Sequence, residues 1–405
     1  MRMSPGTNRL RLVRLLIQEG PRHRAGIARA LKTSRATVTT LVQQLTEDGV
    51  LENIGTAAGV DAGDDGDSGP RPVRLKQQIG ISTARGVLVQ LIFRSTTTLA
   101  AIVAIDGRIL ASSVCEREWS ADAALWLGAA ELQVRGLLEK ALLDWDDVFH
   151  IHLAVNSQVD RITGAIIASD ASGPWQGVDP AATVKGWTSC TVTTENTARQ
   201  VALAEYEALE EPRPLAVVYL YLTWGIGMGH IFDGRIVTGS HGAAGELGHI
   251  SIDPQGERCD CGNRGCLTLV AGLEHVMSTA SAQLGRRVSR IDDVIGLARA
   301  GDERCLHILK ETGRCVGSAM RTVCHLLAPD VLIVGGETAR AGELLIEPMR
   351  RELEAGALPL AIRDLEVVRA TAENDPAALV RAGHAFLAAD QALLGALTKR
   401  ALGTS

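Results

Sequence analysis

The sequence predicts an α/β protein that begins with a small helical domain. Its 405 residues are more than one ordinary domain needs, and a hydrophobic content of 46% is sufficient for sizeable cores. Three short amphipathic segments fill residues 8–49. From about residue 84 onward, apolar strand-like runs alternate with helical patterns, which is typical of sheets covered by helices.

The three N-terminal segments have the pattern of a helix-turn-helix. Residues 8–18 and 24–31 are predicted helices, and a tight break separates the second from a third. Thr33 or Ser34 can cap the third helix, because a hydroxyl satisfies free N–H groups at a helix start. Gly49 ends it. The apolar face of this helix is formed at helical spacing by Val38, Leu41, Val42 and Leu45.

Charge and side-chain size predict that this domain binds DNA. The whole chain has a net charge of −6, but residues 1–54 contain nine basic and four acidic side chains. The outer face of the third helix is slim and uncharged to basic, as the major groove requires. The predicted DNA contacts in this domain are Arg22, Arg24, Ser34, Arg35, Ala36, Thr39, Thr40 and Gln43. A plain three-helix packing module with solvated arginines is the alternative.

A hairpin after the third helix predicts a wing. Residues 50–53 resemble one strand and residues 73–75 its partner. The loop between them contains an acidic, glycine-rich insert at 59–68, which would repel phosphate. Arg71 and Arg74 are therefore the predicted wing contacts to DNA.

The remainder of the chain is predicted to form sheets and covering helices in alternation. Its predicted strands are 86–93, 98–105, 108–110, 150–155, 164–167, 190–194, 216–222, 235–237 and 331–334. Its predicted helices are 122–142, 197–209, 304–327 and 377–394. No apolar run approaches the roughly 20 residues of a membrane span, and the N-terminus lacks a signal-peptide pattern, so we expect a cytoplasmic protein.

One histidine and three closely spaced cysteines predict a metal site. His249, Cys259, Cys261 and Cys266 are the ligand types that a tetrahedral zinc takes, and four protein ligands indicate a structural site. Three reduced cysteines in a polar loop are the alternative, which fits poorly because unpaired cysteines prefer apolar cores. The other cysteines stand in apolar patterns and are predicted to be core residues: Cys115, Cys190, Cys305, Cys315 and Cys324.

These motifs together resemble the ROK family of repressors, open reading frames and kinases. Residues 245–249 read Gly-Glu-Leu-Gly-His, and the cysteine-rich loop follows them, downstream of a winged helix. Residues 223–230 resemble the family's glycine-rich strand turn, and residues 329–336 resemble its C-terminal nucleotide-side strand. The resemblance implies an actin-like (ribonuclease H-like) two-lobed sugar-kinase fold. Family members are sugar kinases or, with a winged helix attached, sugar-responsive repressors and activators.

The resemblance also implies how the chain is divided. A winged helix-turn-helix DNA-binding domain is expected at 1–80 and a first kinase-like lobe at 81–195. A second lobe with the zinc loop is expected at 196–374. A C-terminal helix at 375–405 is expected to return to the first lobe.

The kinase motifs of the family are altered in this chain. Thr197 stands where the family has the aspartate that serves as general base, and its loss typically costs roughly 10²–10⁴-fold in rate. Ile92 and Arg94 stand at the aspartate and first glycine of the first phosphate loop. We therefore expect no enzyme activity and assign no catalytic residue.

The sugar-binding positions of the family are kept only in part. Asn196, Glu246 and His249 match sugar-contacting positions, with His249 shared between zinc and sugar. Three other positions depart from the family pattern, namely Gln158 in the segment Asn156-Ser157-Gln158, Ala171 and Thr268. The effector is accordingly a different sugar, a sugar phosphate, or absent.

The predicted function is sequence-specific transcriptional regulation, most readily of carbohydrate metabolism. The expected partners are a double-stranded DNA operator, a sugar or sugar-phosphate effector, and further copies of the chain in a homodimer or homotetramer, with no membrane association. An active sugar kinase with an accessory DNA-binding domain and a ligand-independent DNA-binding protein are the alternatives. The sequence leaves open the operator, the effector and whether binding represses or activates.

Overall fold

The first helices of the protein form the predicted helix-turn-helix. In a computed structural model that describes residues 5–55, 77–116, 122–167, 175 and 177–404, these are α1 (Pro5–Glu19), α2 (Arg24–Ala30) and α3 (Arg35–Glu47). Ser34 is the cap of α3, because its Oγ accepts a hydrogen bond from the Thr37 amide at 3.1 Å. The four predicted apolar residues of α3 are buried.

A short antiparallel hairpin follows the three helices. It pairs β1 (Leu51–Ile54) with β2 (Gln78–Ile81). The predicted partner of the first wing strand was 73–75, and the strand that pairs with it in the described chain is β2 instead. Residues 73–75, Arg71, Arg74 and the acidic insert 59–68 lie outside the described residues. We call residues 5–55 together with β2 the head.

The first five-stranded sheet begins directly after the head. Along the chain come β3 (Val87–Phe93), β4 (Thr97–Ala104), β5 (Ile109–Glu116), α4 (Ala123–Lys140), β6 (Val148–Val155), β7 (Gln158–Val159), β8 (Ile166–Ile167), α5 (Pro180–Lys185) and β9 (Thr191–Asn196). The sheet has the order β5-β4-β3-β6-β9, and β7 and β8 form a separate hairpin. The first three strands run antiparallel, whereas β3, β6 and β9 are parallel.

The second sheet repeats this strand pattern. The chain continues through α6 (Thr197–Ala208), β10 (Ala216–Leu222), β11 (Ile226–Phe232), β12 (Arg235–Ile236), α7 (Leu267–Ala271), α8 (Leu273–Leu284), α9 (Ile291–Arg299), α10 (Glu303–Leu327), β13 (Val331–Gly335), α11 (Glu343–Gly356), β14 (Glu366–Arg369), α12 (Pro376–Ala389) and α13 (Gln391–Leu402). The sheet order is β12-β11-β10-β13-β14, again with the first three strands antiparallel and the rest parallel. Each sheet with its helices forms one lobe.

The buried apolar residues form three clusters that follow this architecture. One cluster packs α4 and α5 onto the outer face of the first sheet, and another packs α8 to α11 onto the second. The third joins the inner faces of both sheets to α6, α12, α13 and the core of the head. The head is therefore continuous with the central core of the body. Among the described helices, none combines the length and the apolar character that a membrane span requires.

Two sequence predictions were wrong, one about the C-terminal helix and one about Cys115 on β5. The helix predicted at 377–394 is two helices, because Asp390 caps α13 by accepting hydrogen bonds from the amides of Ala392 and Leu393 at 2.9 and 3.1 Å. Cys115 is exposed, because β5 is the edge strand of its sheet. Cys305 and Cys324 are buried as predicted, and Cys190 and Cys315 are half-buried.

The two lobes, together called the body, bind the head through polar contacts at the end of α3 and at the end of β2. The Oδ2 of buried Asp106 accepts from the Ile81 amide at 2.7 Å, and Arg108 Nη2 donates to the Ile81 carbonyl at 2.9 Å. Arg85 Nε donates to the Gly49 carbonyl at 3.0 Å, and its Nη2 donates to the carbonyl of Asp48. Arg108 also forms an ion pair with Glu52.

Two buried histidines on β6 predict a loss of stability in mild acid. Burial lowers the pKa of His150 to about 4 and that of His152 to about 3. Between those values and the ordinary pKa near 6.5, the unfolded chain binds protons that the folded chain does not. We expect the free energy of unfolding to fall from pH 7 to pH 5, by up to about 1.4 kcal/mol per pH unit for each histidine.

Chemical unfolding at a series of pH values measures this dependence. The variant His152→Gln should show a shallower slope, whereas His307→Gln, which changes an exposed histidine on α10, should keep the wild-type slope. An unchanged slope in His152→Gln would contradict the assignment.

Candidate functional site

The predicted metal ligands converge on one side of the second lobe. The ligand atoms of His249, Cys259, Cys261 and Cys266 all lie within 4.8 Å of one another. His249 Nδ1 is 3.7 Å from Cys259 Sγ, and Cys261 Sγ is 3.6 Å from Cys266 Sγ. Tetrahedral zinc with bonds of about 2.0–2.3 Å separates its ligand atoms by roughly 3.5–3.8 Å. The donor set and its spacing therefore fit a four-coordinate metal ion.

Glycines shape the loop that brings these ligands together. The loop closes through backbone hydrogen bonds from Cys259 to Asn263 at 2.8 Å and from Gly262 to Cys259 at 2.9 Å. Gly265 has a φ of +58°, and a side chain there would overlap the backbone of Asp253. The fold thus requires glycine immediately before Cys266.

Burial opposes ionisation of two of the sulfurs. It raises the pKa of the Cys259 thiol, and it raises the pKa of Cys266 to about 12. Metal ligation needs thiolates, so a bound cation is required to hold these two sulfurs in the ionised form.

The start of α6 is Thr197, the residue predicted to replace the general base of the kinases. Thr197 is fully buried, and its hydroxyl donates to the carbonyl of Phe93 at 3.0 Å. A hydroxyl engaged in this way ties β3 of the first lobe to α6. A neutral threonine hydroxyl is too weak a base to take a proton from a sugar, and this one is also buried away from any substrate.

Arg94 crosses the cleft from the first lobe to the second. Its Nε donates to the Tyr221 hydroxyl at 3.3 Å, and its Nη1 donates to the Glu373 carbonyl at 2.9 Å. Glu337 and Glu373 also attract the guanidinium. Arg94, which was predicted to stand at the first glycine of the phosphate loop, is therefore bonded across the cleft to the second lobe.

The glycine-rich strand β11 serves helix packing. A Cβ at Gly227 would lie 2.9 Å from the Cβ of Ala198, and one at Gly229 would overlap the Cβ of Ala202. Both alanines belong to α6, so the glycines allow that helix to approach the sheet closely.

Of the predicted sugar contacts, Asn196 is already engaged by the protein. Its Oδ1 accepts from the Ala198 amide at 2.8 Å and caps α6, and its Nδ2 donates to the Ser157 carbonyl at 2.9 Å. Glu246 and His249 lie at either end of a single 3₁₀ turn, Leu247–His249, which also leads into the metal loop. Of the departing positions, Ala171 lies outside the described residues.

A buried ion pair beside Asn196 was missed by sequence reasoning. Glu195 and Arg199 are both buried, and Arg199 Nε donates to Glu195 Oε1 at 2.7 Å. Arg199 Nη1 also donates to the carbonyls of Gly242 and Ala244, at 2.7 and 3.0 Å. The pair thus fixes the loop that leads to Glu246. Its only sequence signal is the i, i+4 spacing of an acid and an arginine across the start of a helix.

The predicted DNA-contacting face of α3 is open to solvent. All six of its predicted residues are exposed: Ser34, Arg35, Ala36, Thr39, Thr40 and Gln43. Thr39 and Thr40 donate their hydroxyls to the carbonyls four residues earlier, at 2.9 and 3.2 Å, and Gln43 donates to Glu47 at 3.0 Å.

The basic residues around α2 differ in their exposure to solvent. Arg22 and Arg24 are half-buried, and Arg22 forms an ion pair with Glu19. Arg29 and Lys32 line a shallow depression with Arg35, between α2 and the start of α3. Sequence reasoning counted these two basic residues only toward the charge of the domain and did not select them.

The fold and the site define a two-lobed, kinase-like body that carries a helix-turn-helix head and a loop whose His/Cys cluster could hold a metal ion. The ROK family model matches residues 96–391, and the chain belongs to the ROK family. The chain is 27% identical to a glucokinase of Thermotoga maritima over 69% of this chain and 91% of that protein. It is 23% identical to the xylose repressor of Bacillus subtilis over 86% of each chain.

A solved structure shares the complete fold. It is a ROK family transcriptional regulator described as a homologue of the Escherichia coli MLC protein, with a TM-score of 0.68 and 22% identity over 98% of both chains. The actin-like two-lobed fold predicted for the body is thereby confirmed, together with the N-terminal helical domain.

The packing of β11 against α6 predicts a steric effect of one methyl group. Gly229→Ala should lower the free energy of unfolding by about 1–3 kcal/mol, because the new Cβ overlaps Ala202. Gly128→Ala, on the exposed side of α4 with no atom within 4 Å of the new Cβ, should be neutral or stabilising by up to about 1 kcal/mol. Urea unfolding of both variants measures the difference, and equal stability would contradict the close approach.

The metal cluster predicts bound metal in the purified chain. We expect about one divalent ion per chain, and Cys266→Ser should lose it and unfold at a lower temperature. Cys115→Ser changes an exposed cysteine outside the cluster and should retain the metal. Inductively coupled plasma mass spectrometry and thermal unfolding test this, and full metal content in Cys266→Ser would rule out that ligand.

Proposed function

We propose that this protein is a DNA-binding transcriptional regulator whose kinase-like body does not transfer phosphate. The observation that carries the proposal is the face of α3, because all six side chains predicted to read DNA are exposed on a docked helix-turn-helix head. The xylose repressor aligns over 86% of this chain and the glucokinase over 69%, so the regulator matches more of its length.

The proposed DNA interface has a reading part and a positioning part. Arg35, Thr39 and Gln43 would meet base edges in the major groove. Arg29 and Lys32, in the depression at the start of α3, would hold a phosphate of the DNA backbone. Arg24 and the wing residues Arg71 and Arg74 would add backbone contacts. A second copy of the chain would bind the other half of the operator, in a homodimer or homotetramer.

The body is proposed to sense a ligand and to have lost catalysis. In this proposal a threonine bonded to the main chain replaces the general base, and Arg94, bonded to the Tyr221 hydroxyl and the Glu373 carbonyl, occupies the phosphate end of the cleft. A nucleoside triphosphate would have to displace that network and would then lie near the carboxylates of Glu337 and Glu373. At the other end, Asn196, Glu246 and His249 would bind a sugar or sugar phosphate, for which the second hydrogen of Asn196 Nδ2 is suited.

The metal is proposed to be a structural zinc ion. His249, Cys259, Cys261 and Cys266 would supply all four ligands, which leaves no position for a substrate or a reactive water. When bound, zinc would hold His249 and the Leu247–His249 turn in place beside Glu246. The four segments 1–80, 81–195, 196–374 and 375–405 would then act as head, first lobe, second lobe and connecting C-terminal segment.

Binding to the DNA upstream of its own gene tests the proposed function. Arg35→Ala should weaken specific binding by about 1–3 kcal/mol, because a bidentate arginine contact to a base edge has that value. Arg135→Ala changes an exposed arginine on α4 and should bind as the wild type does. Fluorescence anisotropy over a salt series measures the affinity and the number of phosphates neutralised.

The opposite outcome has a clear meaning. Absence of sequence-specific binding by the wild type would remove the regulator assignment. Phosphorylation of D-glucose with ATP by the wild type would establish the kinase alternative, in which the head is accessory.

A further inference from the structure

Arg161 lies between β7 and β8 and contacts three distant parts of the chain. Its Nη1 donates to the Thr238 hydroxyl at 3.1 Å. Its Nη2 is 3.6 Å from Asp390 Oδ2, and its Nε is 3.7 Å from Glu195 Oε2. The guanidinium also lies over the ring of Phe386, 5.0 Å from its centroid.

Two of these contacts lie beside the predicted sugar-binding residues. Thr238 begins the loop that leads to Glu246 and His249, and Glu195 directly precedes Asn196. Arg199 pairs with Glu195 Oε1, whereas Glu195 Oε2 has no hydrogen-bond partner in the described residues and lies 3.7 Å from Arg161 Nε. A ligand that moves this loop would therefore change the surroundings of Arg161.

The loop that follows Thr238 packs closely against the β7–β8 hairpin, which contains Arg161. The Arg161 amide donates to the His241 carbonyl at 3.0 Å. Gly242 has a φ of +84°, and a Cβ there would lie 2.8 Å from both Arg161 Cγ and the Val159 carbonyl oxygen. Because there is no free space between them, displacement of the loop must shift the arginine.

The third contact leads to the head. Asp390 is the cap of α13, and α13 packs against α1. Leu394 and Leu397 of α13 belong to the same buried cluster as the core of the head. Near the other end of α13, Arg400 Nε donates to the Arg85 carbonyl at 2.7 Å, and Arg85 holds the Gly49 carbonyl.

We propose that Arg161 is a positioning residue that couples the loop between Thr238 and Glu246 to α13, the helix of the body that packs against α1 of the head. Displacement of Thr238 changes the position of the guanidinium relative to Asp390. Asp390 transmits the change to the start of α13, and α13 transmits it to α1. This coupling rests on the proposed function, since it concerns how a ligand signal would reach DNA.

Hydrogen exchange in the full-length protein tests the coupling without a ligand. Thr238→Val removes the hydroxyl that Arg161 contacts, in the loop after β12 and not on α13 itself. It should raise exchange of the Ala392 and Leu393 amides by about 2- to 5-fold, the range expected for loss of a partly exposed ion pair such as Arg161–Asp390. Arg161→Ala should do the same, and the double variant should match Arg161→Ala. The affinity for operator DNA should change by a similar factor in all three.

The controls separate coupling from general loosening. Arg135→Ala, which breaks an ion pair on α4, should leave α13 exchange and DNA affinity unchanged. Unchanged α13 exchange in Thr238→Val, or effects of the two substitutions that add in the double variant, would overturn the proposal. If the wild type binds no DNA, the proposed function fails, and the exchange data still decide the coupling.

Discussion

The buried ion pair of Glu195 and Arg199 sets the geometry on which the cleft depends. A buried pair of charges is costly to desolvate and is retained only when its geometry and additional hydrogen bonds are good. Here the arginine also binds two carbonyls of the second-lobe loop, and the Asn196 amide donates to Glu195. Loss of one partner would leave an uncompensated charge inside the protein. The junction of β9 and α6 therefore has little conformational freedom, and it fixes the positions of the neighbouring residues Asn196 and Thr197.

The cleft retains a kinase architecture in which the lobes are connected by side chains. Thr197 connects α6 to β3, and Arg94 connects the first lobe to Tyr221 and Glu373 of the second. In this chain both residues make internal contacts between the lobes, and these contacts favour one relative arrangement of the lobes. This agrees with the proposal that the body reports a conformation and does not catalyse a reaction.

Local patterns in the sequence predicted much of the fold and the metal cluster. The Ser34 cap, the core of α3 and the strands β3 and β10 depend on side chains close together in sequence. The clustering of His249, Cys259, Cys261 and Cys266 was predictable because few other structures require one histidine and three cysteines in a polar loop. The sugar-kinase fold itself came from the resemblance, which the structure confirms. Asn196 was predicted as a sugar contact, and the structure adds its role as a helix cap.

The features that were missed depend on contacts between distant segments. An aspartate in an apolar helical run can be a surface residue or a cap, so the break at Asp390 was not predicted. Cys115 stands in an apolar pattern, but exposure depends on β5 being an edge strand. Arg161 has no local signal, because its three partners lie far apart in sequence. The pairing of β2 with β1 was not predicted, because register across a long connection is set by the body, which holds Ile81.

The docking of the head has a consequence for how such proteins diversify. Arg85, Asp106 and Arg108 bind the head chiefly through main-chain groups of Asp48, Gly49 and Ile81. Main-chain groups are the same whatever side chain a residue carries. The outer face of α3 is therefore free to change its sequence without altering the attachment to the body. Under the proposed function, the side chains that select a DNA sequence and the contacts that attach the head can then change independently.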